Sequence, residues 1–99
     1  MIRVLESKYP SRLYKWMNDN GEDLEVVYSS GDIELSSNSL EFDEFDKYGT
    51  IDDFYGSLTI PSYKDKDAVE VINSCLNQLG LDDRVSLNDL RLKIKDTYY

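Results

Sequence analysis

Leu24-Glu25-Val26-Val27-Tyr28-Ser29-Ser30-Gly31-Asp32-Ile33-Glu34-Leu35 decides the reading of this chain. Val26, Val27 and Tyr28 favour a pleated strand, and Ile33-Glu34-Leu35 alternates apolar with charged. Between them Ser29-Ser30-Gly31-Asp32 has the chemistry of a tight turn. The twelve residues read as a β-hairpin with Ile33 and Leu35 turned to a core.

Further along, Ser57–Ile60 reads as a strand that stops at Pro61, a residue often found at a sheet edge. From Asp67 the period changes to that of a helix. Val69, Ile72, Leu76 and Leu79 share one face, Ala68, Val71 and Cys75 widen it, and Gly80 ends it. Ser86-Leu87-Asn88-Asp89 opens a last helix striped by Leu87, Leu90 and Ile94, with Lys93 and Lys95 complementing its C-terminal dipole. Joined by 81–85, the two form a helical hairpin. On the N-terminal side, Tyr9–Asn20 reads as a helix with Pro10 in its first turn, Leu13, Trp16 and Met17 on one face, and Gly21 after it. The expectation is an α+β fold: a small antiparallel sheet, an N-terminal helix and a C-terminal helical hairpin in one domain spanning 1–99.

Charge is distributed unevenly along the chain. Its formal net charge is −9 over 99 residues. Between Glu22 and Asp53 there are eleven carboxylates against Lys47 alone, so that stretch carries −10. Within it, 40–55 interleaves Glu41, Asp43, Glu44, Asp46, Asp52 and Asp53 with Phe42, Phe45, Tyr48, Phe54 and Tyr55. The run has two readings: as a strand, Leu40 and Phe42 alternate with Glu41 and Asp43 until Glu44-Phe45 breaks the period; as one or two short helical turns, which the spacing favours slightly, Phe42, Phe45 and Tyr48 stand three apart, Asn38 or Ser39 caps them and Gly49 ends them. Thr50-Ile51-Asp52-Asp53 would start another turn before Gly56. Phe42 and Phe45 read as residues that pin this segment to the domain.

The residue inventory excludes much chemistry. With no histidine, imidazole acid–base catalysis and a Cys–His nucleophile are ruled out. One cysteine cannot form an internal disulfide or fill a zinc site, so Cys75 reads as a small apolar residue on a helix face. A chain this small with no disulfide points to the cytoplasm. No Gly-rich phosphate loop occurs. Glu44–Tyr55 places Gly49 and Ile51 as a calcium loop would, yet Tyr55 occupies the last position, where a bidentate carboxylate is needed. No apolar run approaches the roughly 18 residues of a membrane span. The expectation is a non-enzyme without metal or cofactor.

A row of carboxylates suits a cationic partner. DNA carries one charge per roughly 3.4 Å of each strand, and acids spaced along a helix or strand present charge at a comparable density. The same carboxylates repel nucleic acid itself. The expected partner is therefore a basic protein, such as a nucleic-acid-binding enzyme, held by Glu41, Asp43, Glu44, Asp46, Asp52 and Asp53, with Tyr48 and Tyr55 as anchors. In size, charge and lack of catalytic residues the chain is similar to phage-encoded inhibitors of host nucleases and defence systems, anti-CRISPR proteins among them; the likeness is compositional and has no shared motif. Two other roles fit the same sequence. One is an immunity protein that neutralises a toxin. The other is a non-catalytic adaptor docking through the Trp16 helix or the Leu87/Leu90/Ile94 helix. A homodimer is also compatible with it.

Overall fold

The computed structural model describes residues 11–97. Among these residues five strands form one antiparallel sheet: β1 Ser11–Met17, β2 Asp23–Ser29, β3 Asp32–Ser36, β4 Thr50–Asp52 and β5 Ser57–Pro61. Their order across the sheet is β1-β2-β3-β5-β4. The chain leaves β3, passes through a 3-10 turn at Asp43–Tyr48, and returns as the short edge strand β4. Helices α1, Asp65–Gln78, and α2, Leu87–Asp96, follow β5. The α+β class and the antiparallel sheet match expectation.

The β2–β3 hairpin forms as its sequence dictates. Ser29 pairs with Asp32, which leaves Ser30-Gly31 as a two-residue loop. Both loop residues have positive φ, 50° and 87°. That is the requirement of a type I′ turn, whose twist matches that of the flanking strands. Register then places Tyr14, Val26, Leu35, Leu58 and Ile51 in one row across the sheet, with Ile33 and Ile60 in the next. This inner face meets Ala68, Val71, Ile72, Cys75 and Leu76 of α1 and Leu90 of α2, all fully buried. The opposite face carries Lys15, Glu25 and Ser36 in one row and Val27, Glu34, Thr59 and Thr50 in another.

The expected N-terminal helix is not there. Ser11–Met17 is strand β1, followed by a turn at Asn18–Gly21, while Tyr9 and Pro10 lie outside the described residues. A register shift between Arg12 and Tyr14 explains the misreading. A bulge inserts one residue, so Leu13 is buried while Tyr14 and Trp16 also pack against the core. Leu13 and Trp16 are thus inward and three apart, which imitates helical spacing.

Three smaller expectations also change. β5 is an inner strand, flanked by β3 and β4, and Pro61 is tolerated because β4 pairs only with Ser57–Thr59. Thr50–Asp52 is strand β4 and not a helical turn. Neither Asn38 nor Ser39 caps the acidic turn, which starts at Asp43 after Phe42 with no side-chain cap. Asn38 instead ties the end of β3 to β2: its Nδ2 donates to the Gly21 carbonyl and its Oδ1 accepts from the Asp23 N–H.

The helical hairpin is as expected. Ser86 Oγ accepts the Asp89 N–H at 3.1 Å, the N-cap bond its sequence foretells. Its connecting loop is held by Asn73 of α1, which accepts the Val85 N–H at 2.8 Å and donates to the Val85 carbonyl at 3.0 Å.

Candidate functional site

The acidic segment is pinned from beneath by its aromatic residues. Phe42 is 2% exposed and Phe45 6%, both within the core cluster. Burying each phenyl ring contributes about 1.5–3 kcal/mol. Two unit charges about 6 Å apart in water repel by only roughly 0.7 kcal/mol. The two rings therefore hold a turn that exposes Asp43, Glu44 and Asp46 against the one base Lys47, and the Phe45 N–H closes it on the Phe42 carbonyl at 2.8 Å.

Glu41, Asp43, Glu44, Asp46, Asp52, Asp53 and Tyr55 are exposed, and Tyr48 is half-buried. Tyr48 is a tether as well as a surface residue. Its hydroxyl donates to Glu70 of α1 at 3.3 Å, its ring lies 6.3 Å from that of Phe45, and Lys47 Nζ sits 5.2 Å from its centroid. Asp52 shapes the β4–β5 hairpin, because its Oδ1 accepts the N–H groups of Phe54 and Tyr55 at 3.0 and 3.2 Å. At the tip, Phe54 is 85% exposed and Tyr55 75%, with their rings edge to face at 4.8 Å.

The turn and the hairpin meet. A groove of about 180 Å³ lies between them, lined by Leu40, Glu41, Phe42, Asp43, Ile51, Asp53 and Gly56. It brings together Glu41, Asp43 and Asp53 from two separate elements. Glu44 lies outside this lining and acts electrostatically on Cys75 of α1: burial, with a smaller contribution from the Glu44 charge, pushes that thiol from 9.0 up to about 12. The neutral, buried thiol is an inert core group.

None of the candidate acids is neutralised by an ion pair among the described residues. The ion pairs there are Arg12–Glu25 at 2.6 Å, Lys15–Asp23 at 3.8 Å and Arg91–Asp65 at 2.7 Å. Two of these bases hold the β2 acids on the open sheet face. The third spans the helices, and its guanidinium holds the Asp65 carboxyl below its usual range. The acidic stretch thus divides into a partly neutralised sheet face and an unpaired turn and hairpin. No three Asp, Glu or Cys side chains among the described residues are grouped to hold a metal ion. Nor, among those residues, is any helix long and apolar enough to cross a membrane.

Sequence reasoning takes Phe54 only as one of several aromatics able to add anchoring, with Tyr48 and Tyr55 chosen over it, and gives no sign of the apolar floor of Leu40 and Ile51. Asp52-Asp53-Phe54-Tyr55-Gly56 does have turn composition, and an aromatic pair in a turn is a readable signal for exposure. The groove has no such signal, because it depends on β4 crossing to the far side of β5. Comparison with protein-family models, with curated proteins and with solved structures finds no match to this chain.

Proposed function

We propose that this protein is a small acidic inhibitor that occupies a cationic, nucleic-acid-binding site on a partner protein by presenting carboxylates in place of phosphates. The observation that carries this reading is an exposed set of carboxylates without ion-pair partners among the described residues: Glu41, Asp43, Glu44 and Asp46 on and beside a turn fixed by Phe42 and Phe45, and Asp53 on the neighbouring β4–β5 hairpin. A groove built for phosphates binds such a row by the same Coulomb attraction and counterion release. Prior fixation matters, because a rigid charge array binds without the entropy loss of ordering a loop. Phe54 and Tyr55 add apolar and aromatic contact, and rings of this kind are favoured at interface cores and stack with arginine.

Docking through the last helix has less to support it. Leu90 is fully buried and Ile94 packs against the core, leaving Leu92 as the exposed apolar residue of α2. Trp16, the other adaptor candidate, lies in β1 and stacks on Tyr14 at 4.9 Å.

The test is capture at low salt from a lysate of the source or its host, eluted by a salt gradient. A nucleic-acid-binding protein should leave the column early in the gradient, be displaced by a DNA or RNA duplex, and fail to bind a variant carrying Asp43→Lys, Glu44→Lys and Asp46→Lys. A partner indifferent to salt, duplex and charge reversal would reject the reading.

A further inference from the structure

We propose that the groove between the acidic turn and the β4–β5 hairpin receives a single arginine side chain of the partner, an inference that rests on the reading above and gives it a focus. Four features of the groove lead to this occupant. Its volume, about 180 Å³, is below the about 300–1,000 Å³ typical of small-molecule sites, so it fits one long side chain and not a cofactor. Leu40, Phe42 and Ile51 give it an apolar lining suited to the methylene stem that arginine and lysine both bury. Glu41, Asp43 and Asp53 line it as well, none with an ion-pair partner among the described residues.

The fourth feature selects between the two basic side chains. The three carboxylates come from separate chain positions and are not grouped about one point as a metal ion would need. A compact ammonium is likewise a point charge. A guanidinium spreads five donors over a plane and is more weakly hydrated, so it answers dispersed carboxylates above an apolar floor. Phe54 and Tyr55 belong to the same hairpin turn as Asp53 and Gly56, so a partner seated in the groove comes within reach of the aromatic tip.

The probe is a capped pentapeptide of glycines with one central arginine, titrated into the nitrogen-15-labelled protein and followed by NMR. Twin peptides carry citrulline, which keeps the shape and loses the charge, or lysine. Saturable shifts should concentrate on the amides of Glu41, Ile51 and Gly56, with citrulline binding at least about ten-fold more weakly and lysine intermediate. Glu41→Gln combined with Asp53→Asn should weaken the arginine peptide about ten-fold, whereas Asp83→Asn, in the loop between the helices, should not. All three positions are exposed, so the variants should keep the fold, which the dispersion of the same spectra verifies. Shifts spread evenly over the acidic turn and the sheet face, or equal losses from Asp83→Asn and Asp53→Asn, would overturn the groove. An arginine peptide that does not seat, while the partner still elutes with salt, removes the groove and leaves the mimicry reading. Seating without a basic partner from the lysate supports the groove and counts against mimicry.

Discussion

Gly49 lies flat against the carbonyl of Thr59 in β5, where a Cβ would overlap the carbonyl oxygen and come within 3.1 Å of Ile60 Cγ1. Its backbone is extended, so the position needs glycine for close approach and not for an unusual φ. This contact sets the acidic turn down on the sheet and lets β4 begin one residue later. Gly49→Ala should therefore lower stability by about 1–3 kcal/mol, read as an earlier urea midpoint. Binding to a cationic partner should weaken with it, because the turn and hairpin no longer hold their spacing.

The aromatic tip separates stability from binding. Phe54 and Tyr55 are largely in solvent, so replacing both by serine should shift stability by no more than about 0.5 kcal/mol. Affinity for the partner should nevertheless fall by at least ten-fold, roughly the 1.4 kcal/mol expected of one good interface anchor. Calorimetry of the variant beside binding by titration checks both halves.

Unpaired carboxylates on one turn repel one another, and salt screens exposed charges over about 8–10 Å. Raising the salt concentration should increase the melting temperature of the native chain. Asp43→Asn, Glu44→Gln and Asp46→Asn together should raise it at low salt and flatten that dependence. A melting temperature independent of salt in both proteins would show that the turn is not under electrostatic strain.

Cys75 gives stability an alkaline limit. In the folded chain its thiol is held neutral to about 12 by burial first and by Glu44 second, against 9.0 for a free thiol. Above pH 9 the unfolded chain binds fewer protons than the native one, so stability falls as pH rises. The contribution is fully present below pH 9 and is lost progressively toward pH 12. Tyr14 acts in the same direction, since burial, the hydrogen bond it donates to Asp89 and the Asp89 charge all raise its phenol. Cys75→Ala should make the decline between pH 8 and pH 10.5 shallower, as measured by urea midpoints.

The β2–β3 turn leaves room for improvement. Ser30 holds φ 50°, a region unfavourable for most side chains and better suited to asparagine. Ser30→Asn should raise stability by about 0.5–1 kcal/mol, and Ser30→Val should lower it, with thermal melts as the measurement.

Local chemistry made several of these elements readable. The β2–β3 hairpin follows from turn residues between two runs of strand formers, and α1 from an apolar face at helical spacing. Ser86 announces its cap, and the three-residue spacing of Phe42, Phe45 and Tyr48 announces the short turn. These signals lie within a few residues of what they specify, so no distant contact is needed to interpret them. The exposed carboxylates were legible for the same reason: too many acids lie together for the core to take them.

Other features exist only because distant segments meet. Leu13, Tyr14 and Trp16 are strand residues because β2 supplies the pairing of β1, and the bulge between Arg12 and Tyr14 lets Leu13 join them against the core. Pro61 is tolerated in an inner strand because β4 stops short of it. The groove exists because β4 crosses to the far side of β5 and carries Asp53 toward Glu41 and Asp43. Propensity and charge are written residue by residue along the chain, whereas pairing and concavity are settled by which buried surfaces fit together.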